Sequence, residues 1–477
     1  MEGAMSDTVS TPAQPSDLSR ILDRQRAAFL NDGPPGLEQR RADLRRLKAE
    51  ILKHKAEILQ ALNTDFGHRS VRESAIVELI PLLHSITYLI RNLRHWMKPE
   101  RRHVAPYFQC GRAWVIRQPL GVVGIIAPWN YPLSLALVPL ATALAAGNRV
   151  MLKPSELTPT TSAVIEKIIQ AIFPPDQVSV VTGDAEVGAA FSALPFDHIL
   201  FTGSTVVGKK VAAAAARNLT PVTLELGGKS PVIIEPAFSM KDMAERVAYG
   251  KLTNAGQTCI APDYVLVHKA DQDAFAAAFQ EAAKKLYPHG YAGSPDYTAI
   301  LNQHHYERLN RLIQDAKTLK ARVIRLGDDS PADHLLAPVL VLDATPEMAV
   351  MQEEIFGPVL PVLTYWHPDE AIAFINERPR PLALYYFGKK RHELNRVLKY
   401  TVSGNVTVNG TLLHYAQEDL PFGGVGESGI GAYHGKEGFM ALTHPRGIYK
   451  QGRFNAAPLL QPPFGKLTDI ITNFMTR

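Results

Sequence analysis

The stretch "VVGIIAPWNYPLSLALVPLATALAAGNRVMLKP" (Val122–Pro154) decides the fold class. It overlaps an uncharged run, Gln118–Asn148, long enough to mimic a membrane span. Pro119, Pro128, Pro132 and Pro139, with Gly121, Gly124 and Gly147, divide that run. The pieces read as a buried strand at Val122–Pro128, a loop, a helix ending at Gly147, and a second buried strand at Arg149–Pro154. That pattern fits an α/β core better than a spanning helix.

The alternation continues outward. Strands are predicted at Val178–Gly183, His198–Gly203 and Val222–Leu226, with helices over 160–173, 185–194 and 205–218 between them. Five short apolar strands joined by four helices require crossover connections, so the sheet is predicted to be parallel and doubly wound. Such sheets bind nucleotides at the carboxyl ends of their strands. A second α/β series starts at Ser230–Pro236 and runs through a helix at 240–254. It continues in "DYVLVHK", "APVLVLD", "VLPVLTY", "LALYYFG" and "GNVTVNG". The seam falls near Gly227–Gly228.

Bulk composition narrows the function classes. With 46% hydrophobic and 20% charged residues among 477, the chain reads as a soluble globular protein of two or three domains. Its net charge of +5 is small for this length, so no nucleic-acid partner is expected. The basic run Arg40–Lys55 has Leu44, Leu47, Ile51 and Leu52 at helical spacing, and its charges read as the solvated face of an amphipathic helix. Two cysteines, Cys110 and Cys259, make no disulfide framework, which suits a reducing compartment. No secretory signal is visible, the protein is expected to be cytoplasmic, and residues 1–18 are expected to be disordered. No metal site is expected.

Several residues at strand ends can carry chemistry, each with a plainer alternative. Cys259 sits in "NAGQTCIAPDY" (Asn254–Tyr264) and is either a nucleophile or a small buried hydrophobe. In "HILFTGSTVVG", Gly203, Ser204 and Gly208 precede and open a helix, either to admit a phosphate or to make a tight turn. Glu225 ends an apolar strand, where desolvation suits a general base; an ion pair is the alternative. Asn130 in "APWNYPL" is an oxyanion donor or a turn residue. Lys153 and Glu156 in "MLKPSE" are ribose contacts or an ordinary helix start. In "EEIFGP", a carboxylate precedes Phe356 by two residues, as a site or as a strand entry.

Taken together, these motifs resemble the aldehyde dehydrogenase family from about residue 20 to 445. "PWNYPL", "LKPSE", "FTGST", "LELGGKSP", "GQTC", "EEIFGP" and "PFGGVGESGIGAYHG" occur in that family's order. "GQTCIAPDY" and "GAYHG" are similar to its class 3 branch, and "MLKPSELTP", "GDAEVGAAFSALPFDHILFTGST" and "SPDYTAI" to its bacterial coniferyl aldehyde dehydrogenases. The resemblance implies two doubly wound α/β domains, a Rossmann-like NAD-binding domain and a catalytic domain, plus a small β oligomerisation element. Its implied boundaries are 19–98 with 118–227, 228–403, and 99–117 with 404–435, followed by a tail at 436–477. It implies Cys259 as nucleophile, Glu225 as base and Asn130 as oxyanion donor, acting through a thiohemiacetal and a thioester. It also implies cofactor contacts from Trp129, Lys153, Glu156, Gly203, Ser204, Gly208, Leu226, Glu354 and Phe356. The cofactor would be NAD, with NADP as an alternative, and the substrate an aldehyde. A homodimer is expected, with "GNVTVNG" pairing to the neighbour's sheet.

Some readings stay open at this stage. The substrate is expected to be coniferyl or a related aromatic aldehyde, against a medium- or long-chain fatty aldehyde. A coenzyme A-dependent acyl-transfer relative and an idle cofactor-binding scaffold are the rivals that an intact Glu225, Cys259 and Asn130 set disfavours. The C-terminal "FGKLTDIITNFMTR" places Leu467, Ile470, Ile471, Phe474 and Met475 on one helical stripe, too short for a transmembrane anchor. Docking on its own domain is the first expectation, then a substrate lid, then a slight membrane-surface contact.

Overall fold

The computed structural model describes residues 15–105, 108, 110–236, 238–453 and 461–476. The first sheet has the spatial order Gly429–Ile430, Val222–Glu225, His198–Thr202, Val122–Ile126, Arg149–Lys153, Val178–Val180. The five predicted strands are mutually parallel; only Gly429–Ile430 joins antiparallel. The intervening helix Ser134–Ala146 is buried at every position, as an all-round apolar helix must be. It ends at Gly147, whose φ of 90° supplies the left-handed cap.

The second sheet orders Arg322–Arg325, Val339–Leu342, Val359–Tyr365, Tyr264–His268, Pro231–Ile234, Ala383–Phe387 and Asn405–Val408. All pairs are parallel except the first. The edge strand Arg322–Arg325 was not foreseen, because its polar, half-exposed residues carry no buried-strand signal. A third, antiparallel sheet joins Glu100–Arg102, Arg112–Pro119 and Thr443–Lys450.

Four expectations need correction. The small sheet takes its third strand from Thr443–Lys450 and not from 404–435, so 436–477 is more than a tail. Asn405–Val408, expected both in the second α/β series and in the bridging element at 404–435, is the edge strand of the second sheet, in register with Ala383–Tyr386, so only the first of those placements holds. Not all charges of the run Arg40–Lys55 are solvated. Arg40 is buried and donates to Ala145 O and Ala146 O, capping the carbonyls at the end of the buried helix. Finally, the C-terminal helix Lys466–Met475 forms, but none of its residues is buried, which contradicts docking on its own domain. The expected disordered segment lies outside the described residues up to residue 14; beyond it, Leu18 is buried in the helix Pro15–Asp32.

One helical stretch, Val71–Trp96, is long and apolar enough to cross a membrane by length and composition alone. One face of it is buried within the protein, while Val71, Ile76 and Ile80 are exposed. Leu82, Ile86, Leu89, Leu93 and Trp96 belong to the main core together with the helix Ser134–Ala146.

Candidate active site

The loop that carries Cys259 begins where a helix stops abruptly. After Met240–Leu252 the chain makes a tight turn, Thr253–Gly256, in which Asn254 (φ 52°) and Ala255 (φ 51°) are left-handed. Non-glycine residues hold that conformation only where their surroundings enforce it. Here hydrogen bonds do so. Asn254 N donates to Glu73 Oε1 at 3.0 Å, and Asn254 Nδ2 donates to the main-chain oxygens of Asn130 and Gln257, each at 3.1 Å. Gln257 Nε2 donates to Ala299 O at 2.9 Å, and its Oε1 accepts from Leu301 N at 3.0 Å. Gly256 has φ 74°, and a Cβ there would strike the Gly357 carbonyl. The chain then turns again, with Ala261 N donating to Thr258 O.

This folding leaves Cys259 half-buried on the inner wall of a cavity of about 220 Å³. Glu225, the last residue of the strand Val222–Glu225, lines the same cavity with Thr202 and Leu226. Neither Glu225 carboxyl oxygen has a hydrogen-bond partner, and burial pushes its pKa well above the carboxylate range. The Cys259 thiol is pushed up to about 12, first by burial and then by the Glu354 and Glu225 carboxyls; the N–H groups of Cys259 and Ile260 act in the opposite sense. An unaided thiol there stays protonated at neutral pH, so a proton acceptor is needed before it can attack.

Asn130 is buried beside this loop and donates through Nδ2 to Gln257 O at 3.2 Å, two residues before Cys259. It does not itself line the cavity. Its neighbour Tyr131 does, and shares a 2.6 Å hydrogen bond with Thr258.

The remaining predicted residues fall into two groups. Glu354, Phe356 and Trp129 gather at the seam between the two sheets. The Glu354 carboxyl packs against Gly227, where any side chain would collide with it, and it accepts from Gly228 N–H. Withdrawal from water, with the Asp263 carboxylate nearby, raises its pKa to about 8. Phe356 holds φ 50°, with its ring edge-on to Trp129 at 5.3 Å; Trp129 in turn lies 4.9 Å from the His305 ring. The other group follows the carboxyl edge of the first sheet. Lys153 is buried and donates from Nζ to Glu156 Oε2 at 2.8 Å, while Glu156 is 41% exposed in its side chain and so free to meet a ligand. Ser204 caps the helix Thr205–Ala216, accepting from Val207 N, and Gly203 N donates to Glu225 O. A side chain at Gly208 would collide with Leu226.

These residues fit a dinucleotide. A glycine-opened helix N-terminus supplies N–H donors for phosphate. The half-exposed Glu156 suits ribose hydroxyls, and the unpartnered Glu225 oxygens await a polar group. Among the described residues no cluster of three potential metal ligands exists.

Sequence reasoning missed Arg69, Glu73, Glu78, Asn254 and Gln257. Gln257 lies inside the quoted "GQTC", where its neighbour Cys259 drew the chemical reading. Glu73 and Glu78 lie outside every quoted motif and reach the site only through tertiary packing.

Comparisons with known proteins identify the family and the fold. The model of the "Aldehyde dehydrogenase family" matches residues 8–448. A Pseudomonas aeruginosa protein named "Probable coniferyl aldehyde dehydrogenase" is 49% identical over 451 residues, covering 94% of each chain. The solved substrate-bound state of Staphylococcus aureus AldH superposes with a TM-score of 0.92 at 39% identity, covering 96% of this chain and 99% of that one. An aldehyde dehydrogenase of Mycobacterium tuberculosis, solved with NAD+, reaches a TM-score of 0.85 at 27% identity, covering 94% and 92%.

Proposed function

The chain belongs to the aldehyde dehydrogenase family, and from that premise we propose which residues carry the reaction and on what substrate. The enzyme oxidises aldehydes with NAD, or NADP, as cofactor. The observation that carries the assignment of roles is the meeting of Cys259 and the unpartnered Glu225 on one cavity wall.

Cys259 Sγ loses its proton to solvent water and bonds as the thiolate to the aldehyde carbon, whose carbonyl electron pair moves to oxygen, forming a thiohemiacetal. The oxyanion is held by the Asn130 amide and the Cys259 N–H. A bound oxidised nicotinamide would supply the hydride acceptor that this carbon needs for the thiohemiacetal to become a thioester on Cys259. Glu225 takes a proton from water, the resulting hydroxide adds to the thioester carbon, and the thiolate departs as the acid forms. Lys153 and Glu156 hold the adenosine ribose. Gly203, Ser204, Gly208 and Leu226 shape the pyrophosphate path. Glu354 holds the second ribose, while Phe356 and Trp129 border the nicotinamide. A general base in the cavity favours water over a coenzyme A acceptor, and a complete set disfavours an idle scaffold.

The substrate proposed is coniferyl or a related aromatic aldehyde. Tyr131, Tyr415, Phe422 and Tyr433 line the cavity, and aromatic walls suit a planar ring. The relative named for coniferyl aldehyde supports this reading. One observation favours a fatty aldehyde instead: the cavity also reaches the exposed aliphatic side chains of Ile76 and Leu413. Initial rates with coniferaldehyde and decanal at equal concentration test the choice. Preference for coniferaldehyde is expected, and preference for decanal would reverse it.

We also propose a cytoplasmic homodimer. The exposed edge strand Thr443–Lys450 and the free edge of Asn405–Val408 support pairing between copies, and two free cysteines suit a reducing compartment. The exposed stripe of the C-terminal helix is compatible with a slight membrane-surface contact. Light scattering at micromolar concentration tests the dimer; a monomeric mass contradicts it.

A further inference from the structure

The wall that carries the proposed chemistry leans on a buried ion pair that takes no part in it. Arg69 and Glu78 are both fully buried, with Nη1 2.9 Å from Oε1. A buried pair is weak evidence for stability, because desolvation offsets its attraction. Its neighbours point elsewhere. The same Nη1 donates to the main-chain oxygen of Asn130 at 3.2 Å. The guanidinium lies 5.1 Å from the Tyr131 ring centre and 4.7 Å from that of Phe66. Tyr131 in turn bonds Thr258, the residue before Cys259. Glu78 Oε2 accepts from Leu133 N at 2.9 Å and Ser134 N at 3.0 Å. The pair therefore grips the segment Asn130–Ser134 at both ends.

Glu78 reaches this place through a π-helical turn, Ala75–Leu79, inside the long helix Val71–Trp96. Such wide turns recur at functional sites. One helical turn earlier, Glu73 accepts from Asn254 N and Thr298 Oγ1. A single helix thus anchors both the Asn130 segment and the loop leading to Cys259. Its Ile76, Val77 and Pro81 meanwhile line the cavity.

We infer that Arg69, paired with Glu78, is a positioning residue that sets where Asn130 and Tyr131 stand relative to Cys259, and thereby the rate of acyl-enzyme formation, without touching the substrate. The inference rests on Asn130 being the oxyanion donor. Arg69 Nε and Nη2 have no hydrogen-bond partner, so Nη1 alone carries the bonds to both Glu78 and Asn130.

The test reads single-turnover NADH formation, aldehyde KM and melting temperature for Arg69→Met, Arg69→Met/Glu78→Gln, Arg69→Lys and Asn130→Ala. Arg69→Met strands the Glu78 charge, so both melting temperature and rate are expected to fall. The double variant removes that charge, and its melting temperature is expected to return toward wild type. Its single-turnover rate is expected to stay about tenfold or more below wild type, with KM within about threefold, as a small misplacement of a reacting group dictates. Should Arg69→Met fail to fold, the double variant and Arg69→Lys carry the comparison. Arg69→Lys keeps the charge but loses the planar guanidinium that lies by the Tyr131 and Phe66 rings, and is expected to melt near wild type while turning over slowly. A double variant whose rate recovers with its stability overturns the positioning role. If Asn130→Ala turns over at the wild-type rate, the oxyanion reading has failed and takes this inference with it. If Asn130→Ala is slow and the double variant fast, only the inference has failed.

Discussion

Glu225 and Cys259 face one apolar cavity, and each carboxyl or thiol charge there raises the cost of the other: the Glu225 carboxyl is among the groups that push the Cys259 thiol up to about 12. Two acids so arranged cannot both ionise cheaply. That relationship suits a reaction in which a proton leaves sulfur first and the carboxyl acts on water later.

Glu225→Gln is therefore expected to separate the two half-reactions. Removing a general base costs about 10²–10⁴-fold in the step it serves. Stopped-flow traces should show a burst of NADH near one equivalent of enzyme, followed by slow steady-state turnover. A variant with wild-type steady-state turnover removes Glu225 from the role.

The same residue predicts a pH signature in stability. Its pKa is raised on folding, so the folded state binds the proton more tightly than the unfolded state does. Stability from the protonated carboxyl is fully present below the unfolded value of about 4.5 and is lost as pH rises through the folded pKa. Glu225→Gln cannot lose it. The melting temperature of the variant relative to wild type should rise from pH 5 to pH 9, as scanning calorimetry can read. A difference independent of pH contradicts the burial of an uncompensated carboxyl.

The acid side has its own carriers. Burial lowers His434 to about 3 and His198, His305 and His414 to about 4, from 6.5. Stability from these neutral rings is present above pH 6.5 and is lost as pH falls through the folded values. His434 is enclosed by Tyr415, Phe422 and Tyr433, and neither of its nitrogens has a hydrogen-bond partner. His434→Phe is expected to move the acid-unfolding midpoint, followed by circular dichroism, to lower pH. An unchanged midpoint means that this ring is hydrated in solution.

Gly256 tests the loop that presents Cys259. With φ 74° and the Gly357 carbonyl in the space of a Cβ, Gly256→Ala is predicted to cost about 1–3 kcal/mol in backbone strain. It should also lower aldehyde turnover by about 10²-fold through displacement of the sulfur. Urea unfolding and initial rates read the two effects; wild-type values for both contradict the tight packing of this turn.

The legibility of this chain divides along physical lines. The first sheet was readable because its strands are short, apolar and separated by turn residues. Val122–Ile126 and His198–Thr202 are buried throughout, so hydropathy alone marks them. Glu225 was readable because it ends an apolar strand, and Cys259 because it lies in a loop of small and polar residues and the resemblance named its role. Arg69 and Glu78 were not, since a charged pair nine residues apart looks like surface until the fold encloses it. The third small-sheet strand, Thr443–Lys450, was missed because seven of its eight residues are exposed or half-exposed and show no alternation. The C-terminal helix was readable as a helix from its stripe. That its stripe stays exposed was not, because periodicity records a face and not whether anything covers it.

The most direct test of the covalent role of Cys259 is the intact mass of Glu225→Gln enzyme, acid-quenched within one turnover of mixing with NAD and coniferaldehyde. The account predicts a mass gain equal to the aldehyde less two hydrogens, absent when Cys259→Ala is added. No adduct while NADH forms, or an adduct that persists in Cys259→Ala, contradicts it.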